Sequence, residues 1–244
     1  MADYALYSEQ KGWAVDFSCP DDAAGYFRSE FAQLEFQGRK IVELGFGGGH
    51  FLAFARGRGA EIFGVEIQES IVDKARAAGY PAFSRLEDLL AGHAGAFDAV
   101  VALDVFEHLD HQTIGETLIT VHRLLKAGGV LILRAPNGQS PFGRRTQHGD
   151  STHVSVITPK KMEQLCFAKG LEVVRVANQA RVAQARNPLH GLAKRLQFVV
   201  RDWCNAAISA IYGMGTTVLD ENIVIWIRKA GEAVPLAVGG AGRS

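Results

Sequence analysis

The sequence is poor in the residues and segments that mark several protein classes. Its 244 residues include three cysteines, Cys19, Cys166 and Cys204. Because they are odd in number, widely spaced and form no C-x-x-C pair, they exclude a disulfide framework and predict reduced thiols in a cytoplasmic protein. Residues 1–12 show no basic region followed by an apolar run, so no signal peptide is predicted. No apolar run approaches the roughly 18 residues of a membrane span, which predicts a soluble chain without a transmembrane segment.

The chain also lacks an excess of charge of either sign. Lysine and arginine number 26, and aspartate and glutamate number 26. A dedicated nucleic-acid binder needs an excess of basic residues, so this balance argues against a nucleic-acid partner. The distribution is uneven, however, with 19 acidic and 11 basic residues through residue 133, then 12 basic and 3 acidic residues over 134–201. Either solvated faces differ by chance, or the basic segment meets an anionic partner.

Glycines at alternate positions follow the first apolar run. Residues 41–50 read IVELGFGGGH, so a strand containing Glu43 leads into Gly45, Gly47 and Gly49. Such a turn lets a ligand lie against the backbone. A dinucleotide fingerprint, G-x-G-x-x-G, would need its third glycine at position 50, which is His50. The pattern E-x-G-x-G-x-G instead resembles motif I of the class I methyltransferases that use S-adenosylmethionine, and the resemblance implies that Glu43 and these glycines bind that cofactor.

An acidic residue ends the next predicted strand, in Gly64-Val65-Glu66-Ile67. An acid at this strand end accepts both hydroxyls of a ribose in nucleoside-binding α/β folds. The alternative is a helix-capping or surface acid. With the glycine turn upstream, Glu66 is predicted to bind the ribose, with Ile67 beside it.

The segment FDAVVALDVFEHLD, residues 97–110, resembles the fourth-strand motif of the same methyltransferases. That resemblance implies that Leu103 and Asp104 lie beside the methionine part of the cofactor. His108 is either a catalytic base or a structural histidine that fastens the loop. The stretches LKAGGV and APN then resemble the family's fifth-strand element, so the resemblance covers residues 41–137. No "GD" pair follows the third strand, and the adenine contact is assigned to the Leu86 backbone or to Glu87.

A narrower resemblance lies downstream, in HGDSTHV followed by ITP. It is similar to the "YxDxTHxxxFT" element of bacterial methyltransferases associated with surface-polysaccharide assembly. Val156-Ile157 stands where an aromatic residue is usual, and His148 replaces a common tyrosine. This resemblance implies a glycan acceptor, with a sugar hydroxyl or a phosphate as the methylated group.

Asp150 and His153 suggest a mechanism for an oxygen acceptor. An alcohol becomes nucleophilic when a base takes its proton, and histidine is suited to this near neutral pH. Asp150 is then expected to orient the His153 ring. The alternative is that both residues only fasten the loop. No metal site is predicted, although zinc bound by His148, Asp150 and His153 remains an open alternative by ligand type.

The alternation of strands and helices predicts an α/β fold with a doubly wound, mostly parallel sheet. The family resemblance implies seven strands, a Rossmann-like methyltransferase fold and an antiparallel last strand. One domain is predicted over 1–229, with an N-terminal helix over 20–37, a flexible tail over 230–244 and substrate-side loop and lid segments over 138–157 and 178–215. The predicted strands are 41–44, 61–65, 81–83, 97–103, 130–133, 171–176 and 223–227, and further helices are predicted over 113–125 and 158–169.

Apolar residues recur at helical spacing late in the chain, at Leu192, Leu196, Val199, Trp203 and Ile211. Packing of this face on the core, as part of a lid, is the first interpretation. A homodimer contact or peripheral attachment to a membrane surface are the alternatives.

The sequence thus predicts a cytoplasmic S-adenosylmethionine-dependent methyltransferase. Oxygen is favoured as the accepting atom because no "NPPY" or "DPPY" turn follows the fourth strand. The expected acceptor is a hydroxyl or phosphate of a bacterial surface-glycan precursor. The alternatives are a small-molecule O-methyltransferase acting on a quinone-like or other secondary metabolite, a non-catalytic cofactor-binding subunit, and a nicotinamide-dependent oxidoreductase.

Overall fold

The computed structural model describes residues 15–182, 188–213 and 218–230. Its helices are α1 (Asp21–Glu30), α2 (His50–Gly57), α3 (Glu69–Ala77), α4 (Leu90–His93), α5 (His111–Leu124), α6 (Arg144–His148), α7 (Pro159–Phe167) and α8 (Pro188–Ile211). Its strands are β1 (Lys40–Leu44), β2 (Glu61–Val65), β3 (Ala82–Phe83), β4 (Phe97–Leu103), β5 (Leu125–Pro136), β6 (Leu171–Asn178) and β7 (Asn222–Lys229). Two short 3₁₀ turns cover Leu86–Leu89 and Phe106–His108.

The strands form one seven-stranded sheet in the order β3-β2-β1-β4-β5-β7-β6. Strand β7 runs antiparallel to both of its neighbours, and the pairs among β1 to β5 are parallel. This confirms the predicted doubly wound sheet and its antiparallel last strand. The strand order reverses where β1 pairs with β4, and in open α/β sheets the ligand crevice opens at the carboxyl ends of such strands.

Strand β4 lies at the centre of the sheet because its sequence is apolar on both faces. The four residues from Ala99 to Ala102 have no exposed surface. One face of the sheet packs against α5 through Ile114 and Leu118, and the other packs against α1 and α2. A continuous apolar run is typical of a strand covered by helices on both sides.

Phenylalanine rings fix the N-terminal helix α1 on the sheet. Phe27 and Phe31, four residues apart, contact Phe51 with centroid distances of 5.3 and 4.9 Å. The helix ends at Glu30 rather than continuing to 37, so the predicted C-terminal boundary is wrong. The chain turns after Phe31 so that Phe36 packs edge-on against Phe31 and Phe54. Burial of this aromatic cluster therefore overrides the helical periodicity.

Other predicted boundaries also change. Helix α5 begins at His111 rather than 113, because the Asp110 carboxylate accepts a hydrogen bond from the Thr113 amide at 2.7 Å. Helix α7 is capped by Thr158, as predicted, but ends at Phe167 rather than 169. Helix α6 interrupts the loop predicted over 138–157. Strands β5, β6 and β7 extend beyond their predicted ends, and the tail predicted over 230–244 lies, apart from Ala230, outside the described residues.

The apolar face of α8 does not pack on the core, so the first interpretation of this helix is wrong. Leu192, Leu196 and Trp203 are 66%, 62% and 77% exposed. The helix is held instead through ion pairs, since Arg181 bridges Asp220 at 2.7 Å and Asp202 at 2.8 Å. Among the described residues, no helix combines the length and the apolar character needed to cross a bilayer.

Asp98, at the start of β4, stabilises the amino-terminal edge of the central strands. Its carboxylate accepts hydrogen bonds from the Lys40 amide at 2.9 Å and the Lys126 ammonium at 2.7 Å. Burial opposes ionisation of this carboxyl, but the bonds from Lys126 and Lys40 outweigh it and lower its pKa. We expect Asp98→Asn to lower the free energy of unfolding at neutral pH by about 1 kcal/mol, because it removes a charge-assisted hydrogen bond.

The pH dependence of the stability lost in Asp98→Asn provides a second measurement. An acid whose pKa is lower in the folded state contributes stability above its unfolded pKa, and this contribution disappears as pH falls through the folded value. The difference between wild type and Asp98→Asn should therefore begin to narrow as pH falls below about 3.8 and close only below the lowered pKa of Asp98. Asp73→Asn, at an exposed i,i+3 pair with Arg76, is the matched control, expected to cost less than about 0.5 kcal/mol in urea unfolding. An equal effect of the two substitutions at neutral pH would contradict the role of Asp98.

Candidate functional site

A cavity of about 980 Å³ opens at the carboxyl ends of β1, β2, β4 and β5. The glycine turn lies at one end, and the loop carrying α6 covers the other. Cavities of this size accommodate a cofactor-sized ligand together with a second small molecule. The predicted site residues that line it are Glu43, Gly45, Gly47, Glu66, Ile67, Leu86, Leu103, Asp104, His108, Asp150 and His153.

The glycine turn needs glycine for both conformation and space. Gly45, Gly47 and Gly49 have φ angles of 72°, 47° and 80°, a region that side chains strain. A Cβ on Gly45 would lie 2.5 Å from Val105, and one on Gly49 would lie 2.3 Å from the Phe17 ring. Gly49 occupies the N-cap position of α2 and is not among the residues that line the cavity, so its position indicates a structural part in the turn.

Two buried glutamates lie beside this turn. Glu66 accepts hydrogen bonds from the Gly47 amide at 3.2 Å and the Gln68 amide at 3.3 Å, one on each carboxylate oxygen. The Oε2 atom of Glu43 is buried and has no hydrogen-bond partner among the described residues. Burial raises the pKa of both carboxyls, and the neighbouring Glu66 raises that of Glu43 further. The pair is therefore suited to a cationic ligand, which would supply the missing partner and favour ionisation.

These features fit the expected S-adenosylmethionine. Glu66 stands at the end of β2, where ribose hydroxyls are bound in such folds. The unpartnered Glu43 oxygen lines the same cavity and matches the positive charge of the ligand. Of the two adenine candidates, Leu86 lines the cavity, whereas the Glu87 side chain pairs with Arg85 at 3.6 Å. Leu86 is therefore the better-placed of the two.

An ion pair fixes the segment after β4. Asp104 adopts a φ of 57°, which is uncommon for a residue other than glycine. Its amide donates to the Arg134 carbonyl at 2.9 Å, and Arg134 Nε donates to Asp104 Oδ1 at 2.8 Å. Arg134 was not among the predicted site residues; the available indication was a charge directly after the apolar run of residues 130–133.

Glu107 connects the covering loop to the turn after β4. Its carbonyl accepts hydrogen bonds from the Val154 and Ser155 amides at 2.9 and 3.0 Å, which ties the covering loop to the turn after β4. Its side chain is 1% exposed, and Oε2 has no partner within the described parts of the chain. Burial, and then the nearby Asp104 charge, raise the pKa of this carboxyl to about 8.

Asp150 orients His108 through a threonine. The Thr152 hydroxyl lies 2.6 Å from Asp150 Oδ1 and 2.9 Å from His108 Nδ1. The hydroxyl has one proton, which it donates to the carboxylate, so it accepts a hydrogen bond from Nδ1. His108 Nδ1 also faces the Thr152 carbonyl at 3.3 Å, which only accepts. His108 is therefore the tautomer with its proton on Nδ1, leaving Nε2 as the basic nitrogen. The sequence had predicted that Asp150 orients His153. In the structure Asp150 orients His108, and Thr152, which was not predicted, links the two.

His153 has the same tautomer for a separate reason. Its Nδ1 lies 3.2 Å from the Gln147 carbonyl, an acceptor, so Nδ1 holds the proton. The His108 and His153 rings meet in a T-shaped contact with centroids 4.7 Å apart. Burial and the neighbouring His153 lower the pKa of His108, so its imidazole is neutral at physiological pH. The structure thus brings together two imidazoles that each turn Nδ1 toward an oxygen acceptor.

The basic segment 134–201 is divided among several elements. Arg145 lines the mouth of the cavity, while Arg134 is paired with Asp104 and Arg201 with Asp220. The charge excess therefore contributes one exposed arginine to the cavity itself. Polar cavity residues that were not among the predicted site residues are His50, Gln68, Glu107, Thr117, Arg134, Arg145, Thr146, Glu221 and Asn222.

Comparison with known proteins gives a family match over most of the site. Residues 22–176 match a family model described as a methyltransferase domain. A curated relative, a ubiquinone biosynthesis O-methyltransferase of Xanthomonas oryzae pv. oryzae (strain PXO99A), is 30% identical over 113 residues, covering 43% of this chain and 46% of the relative. The chain spans about half the length of the first curated relatives it matches.

Solved structures show the same fold at low sequence identity. A SAM-dependent methyltransferase from Archaeoglobus fulgidus superposes with a TM-score of 0.64 at 18% identity, covering 93% of this chain and 100% of the other. The Burkholderia thailandensis 1,6-didemethyltoxoflavin-N1-methyltransferase, solved with S-adenosylhomocysteine, gives 0.57 at 17% identity, covering 93% and 86%. At these identities the likeness is one of fold.

Proposed function

Because the chain belongs to the methyltransferase domain family, we propose that it transfers the methyl group of S-adenosylmethionine to an oxygen atom of a hydroxyl-rich acceptor in the cytoplasm. The observation that carries this proposal is the layout of the cavity. Buried carboxyls line the end next to the glycine turn, and the imidazoles of His108 and His153 line the end under the covering loop.

The bound cofactor supplies an electrophilic methyl group on a positively charged sulfur, which leaves as a neutral thioether. Glu66 would hold the ribose hydroxyls, and Glu43 would balance the positive charge. Because the leaving group needs no proton, the chain's task is to align the two reactants and exclude water. The hydrogen bonds from Val154 and Ser155 to Glu107 hold the loop over the cavity for that purpose.

The imidazole pair can accept the proton that the acceptor hydroxyl loses. Nε2 of His108 is the basic atom, since Nδ1 is committed to Thr152. The carboxylate of Asp150, linked through Thr152, stabilises the ring as it gains positive charge. His153, in contact with His108, would hold the acceptor hydroxyl in place or share the proton.

The polar lining of the acceptor end supports a hydroxyl-rich molecule over an apolar one. Arg145, Thr146 and Asn222 line the cavity and offer hydrogen-bonding groups to such an acceptor. Arg145 would also bind a phosphate or another acidic group. Together with the similarity of residues 148–159 to the surface-polysaccharide element, this lining favours a sugar hydroxyl or phosphate of a surface-glycan precursor.

A small phenolic acceptor is the second candidate. The specific observation in its favour is that the curated relatives carry the name ubiquinone biosynthesis O-methyltransferase, at 22–30% identity. On this reading Arg145 would not contact the acceptor. Leu109 and Pro136, which also line the cavity, would pack against the aromatic ring.

The exposed face of α8 suits an acceptor attached to a membrane. Leu189, Leu192, Leu196 and Trp203 are all more than 60% exposed, and Arg195 lies exposed among them. Apolar side chains beside a basic one are typical of a helix lying at a lipid surface. We therefore include membrane-bound acceptors in the test below.

The test is methyl transfer from labelled S-adenosylmethionine to a panel of acceptors, read by mass. The panel comprises sugar nucleotides, lipid-linked glycans in vesicles and phenolic quinone precursors. We expect a mass increase of one methyl on a glycan acceptor, with a KM that rises about tenfold in Arg145→Ala, as for loss of one charge-assisted contact. Methylation of the phenols alone, unaffected by Arg145→Ala, would establish the second candidate. Binding of the cofactor without turnover on any acceptor would indicate a non-catalytic subunit.

A further inference from the structure

We propose that Glu107, His108 and His153 bind one divalent transition-metal cation of the zinc class at the acceptor end of the cavity. The sequence analysis predicted no metal, and considered a different trio that included His148 and Asp150. The catalytic role of this cation rests on the proposed function, but its binding does not.

The first support is the convergence of three donor groups. One ligand atom from each of Glu107, His108 and His153 lies within 4.8 Å of the other two. These residues come from the turn after β4 and from the covering loop, which are joined by hydrogen bonds to the Glu107 carbonyl. Bonds of about 2.0–2.2 Å to one ion would require the ligand atoms to approach each other by roughly 1 Å, a movement that small side-chain rotations allow.

The second support is an unsatisfied buried acceptor. Glu107 Oε2 has no hydrogen-bond partner in the described part of the chain, and its side chain is 1% exposed. A buried oxygen without a hydrogen-bond partner is costly, and coordination to a cation removes that cost. The carboxylate also lies next to two imidazoles, so the site is not simply a cluster of acids.

The third support is the orientation of both imidazoles. Nδ1 of His108 is held by Thr152 and, through it, by Asp150; Nδ1 of His153 is held by the Gln147 carbonyl. Metal-binding histidines usually donate their second ring nitrogen to a carbonyl or carboxylate in this way, which fixes the tautomer and aims the other nitrogen at the ion. Nε2 is thus the ligand atom that we assign in both rings.

The donor set identifies the class of ion and the part it would take. Two imidazoles and one carboxylate favour zinc, iron, copper or nickel over magnesium, calcium or manganese, which prefer oxygen donors. Three protein ligands leave a coordination position for the acceptor oxygen. A bound hydroxyl would release its proton to solvent; its oxygen would then bond the methyl carbon while the carbon–sulfur bond breaks, leaving both electrons on sulfur. In the metal-loaded protein, the two imidazoles would act as ligands in place of a base.

The experiment titrates the full chain, freed of metal with a chelator, with Zn²⁺ against a chromophoric competitor. We expect one equivalent to bind in the wild type and equally in His148→Ala, a histidine on the same loop outside the cluster. His153→Ala and Glu107→Gln should weaken binding more than about 100-fold, and Thr152→Val, which keeps all three ligands, by about 10- to 100-fold. Absence of stoichiometric binding, or equal affinity in wild type and His153→Ala, would overturn the proposal.

Loading with Co²⁺ provides a measurement that does not depend on a variant's folding. The wild type should show the visible ligand-field bands of a site with nitrogen and oxygen ligands. A site at the exposed Cys204 would instead give a thiolate charge-transfer band, and observing that band would overturn the assignment.

Calorimetry with S-adenosylmethionine on the metal-free protein separates the two proposals. If the cofactor fails to bind while Zn²⁺ binds as expected, the proposed function fails and the metal site stands.

Discussion

Replacing Glu66 by alanine is expected to weaken S-adenosylmethionine binding by about 100-fold, because two charge-assisted hydrogen bonds to the ribose are lost. The same carboxylate holds the Gly47 and Gln68 amides, so the variant also loosens the turn against which the cofactor lies. Glu66→Gln keeps one acceptor oxygen and should lose about tenfold. Isothermal titration calorimetry measures both values.

Glu69→Gln is the matched control, since Glu69 lies three residues further on, exposed in the first turn of α3. Its affinity should equal that of the wild type. A Glu66→Ala protein that binds the cofactor within about threefold of the wild type would show that this carboxylate only stabilises the loop. Thermal unfolding of each variant separates a loss of affinity from a loss of fold.

Cofactor affinity should also rise with pH. The pKa values of Glu43 and Glu66 are raised by burial, so each carboxyl tends to hold a proton in the free protein above its ordinary range near 4.5. A cation favours the ionised form, so binding expels protons and becomes tighter as pH increases from about 4.5 upward. Calorimetry in buffers of different ionisation enthalpy reports this release. Proton uptake on binding, or affinity that falls over this range, would contradict the assignment of these carboxyls to the cation.

The second large effect is expected for His108→Ala, which should lower kcat by about 10²- to 10⁴-fold while cofactor affinity stays within about threefold. The ring is the one that the Asp150–Thr152 pair orients, and it contacts His153. Its loss therefore removes the group that accepts the proton, or, with a cation bound, one of the ligands. Single-turnover methyl transfer with a saturating acceptor measures the chemical step.

His111→Ala is the control for that substitution, because His111 is exposed at the start of α5, three residues away. Its kcat should be unchanged. If His108→Ala retained the kcat of the wild type, His108 would be a residue that only fastens the loop. Thr152→Val, which leaves both imidazoles in place, is expected to give an intermediate kcat.

The fold could be predicted because its main elements are specified by residues that are close together in the sequence. The apolar run of β4 and the alternating glycines after β1 each specify an element without reference to distant residues. Helix ends were less predictable because they depend on contacts across the fold. Helix α1 stops at Glu30 because Phe36 must reach Phe31 and Phe54, and no pattern within the helix itself indicates this.

The interpretation of α8 was wrong for a related reason. Apolar residues at helical spacing indicate that a helix has an apolar face, but not what covers it. In the structure Arg181 pairs with Asp202 on the helix and with Asp220 before β7, which holds the helix by its polar side and leaves Trp203 exposed. Arg181 lies 21 residues from Asp202 and 39 from Asp220 in sequence, so only the folded chain brings the three together.

The sequence by itself determined the sheet, the glycine turn and the kind of cofactor, because each of these depends on residues that are neighbours in the chain. Only the tertiary structure decided how the acceptor side is arranged. Asp150 is linked to His108, and not to His153 as expected. The hydrogen bonds to Nδ1 leave Nε2 of both histidines directed into the cavity. The unpartnered Glu107 oxygen lies between the turn after β4 and the covering loop. The physical reason is that the bonds between His108 and Thr152 join residues 44 apart in sequence, and no spacing within either segment encodes that pairing.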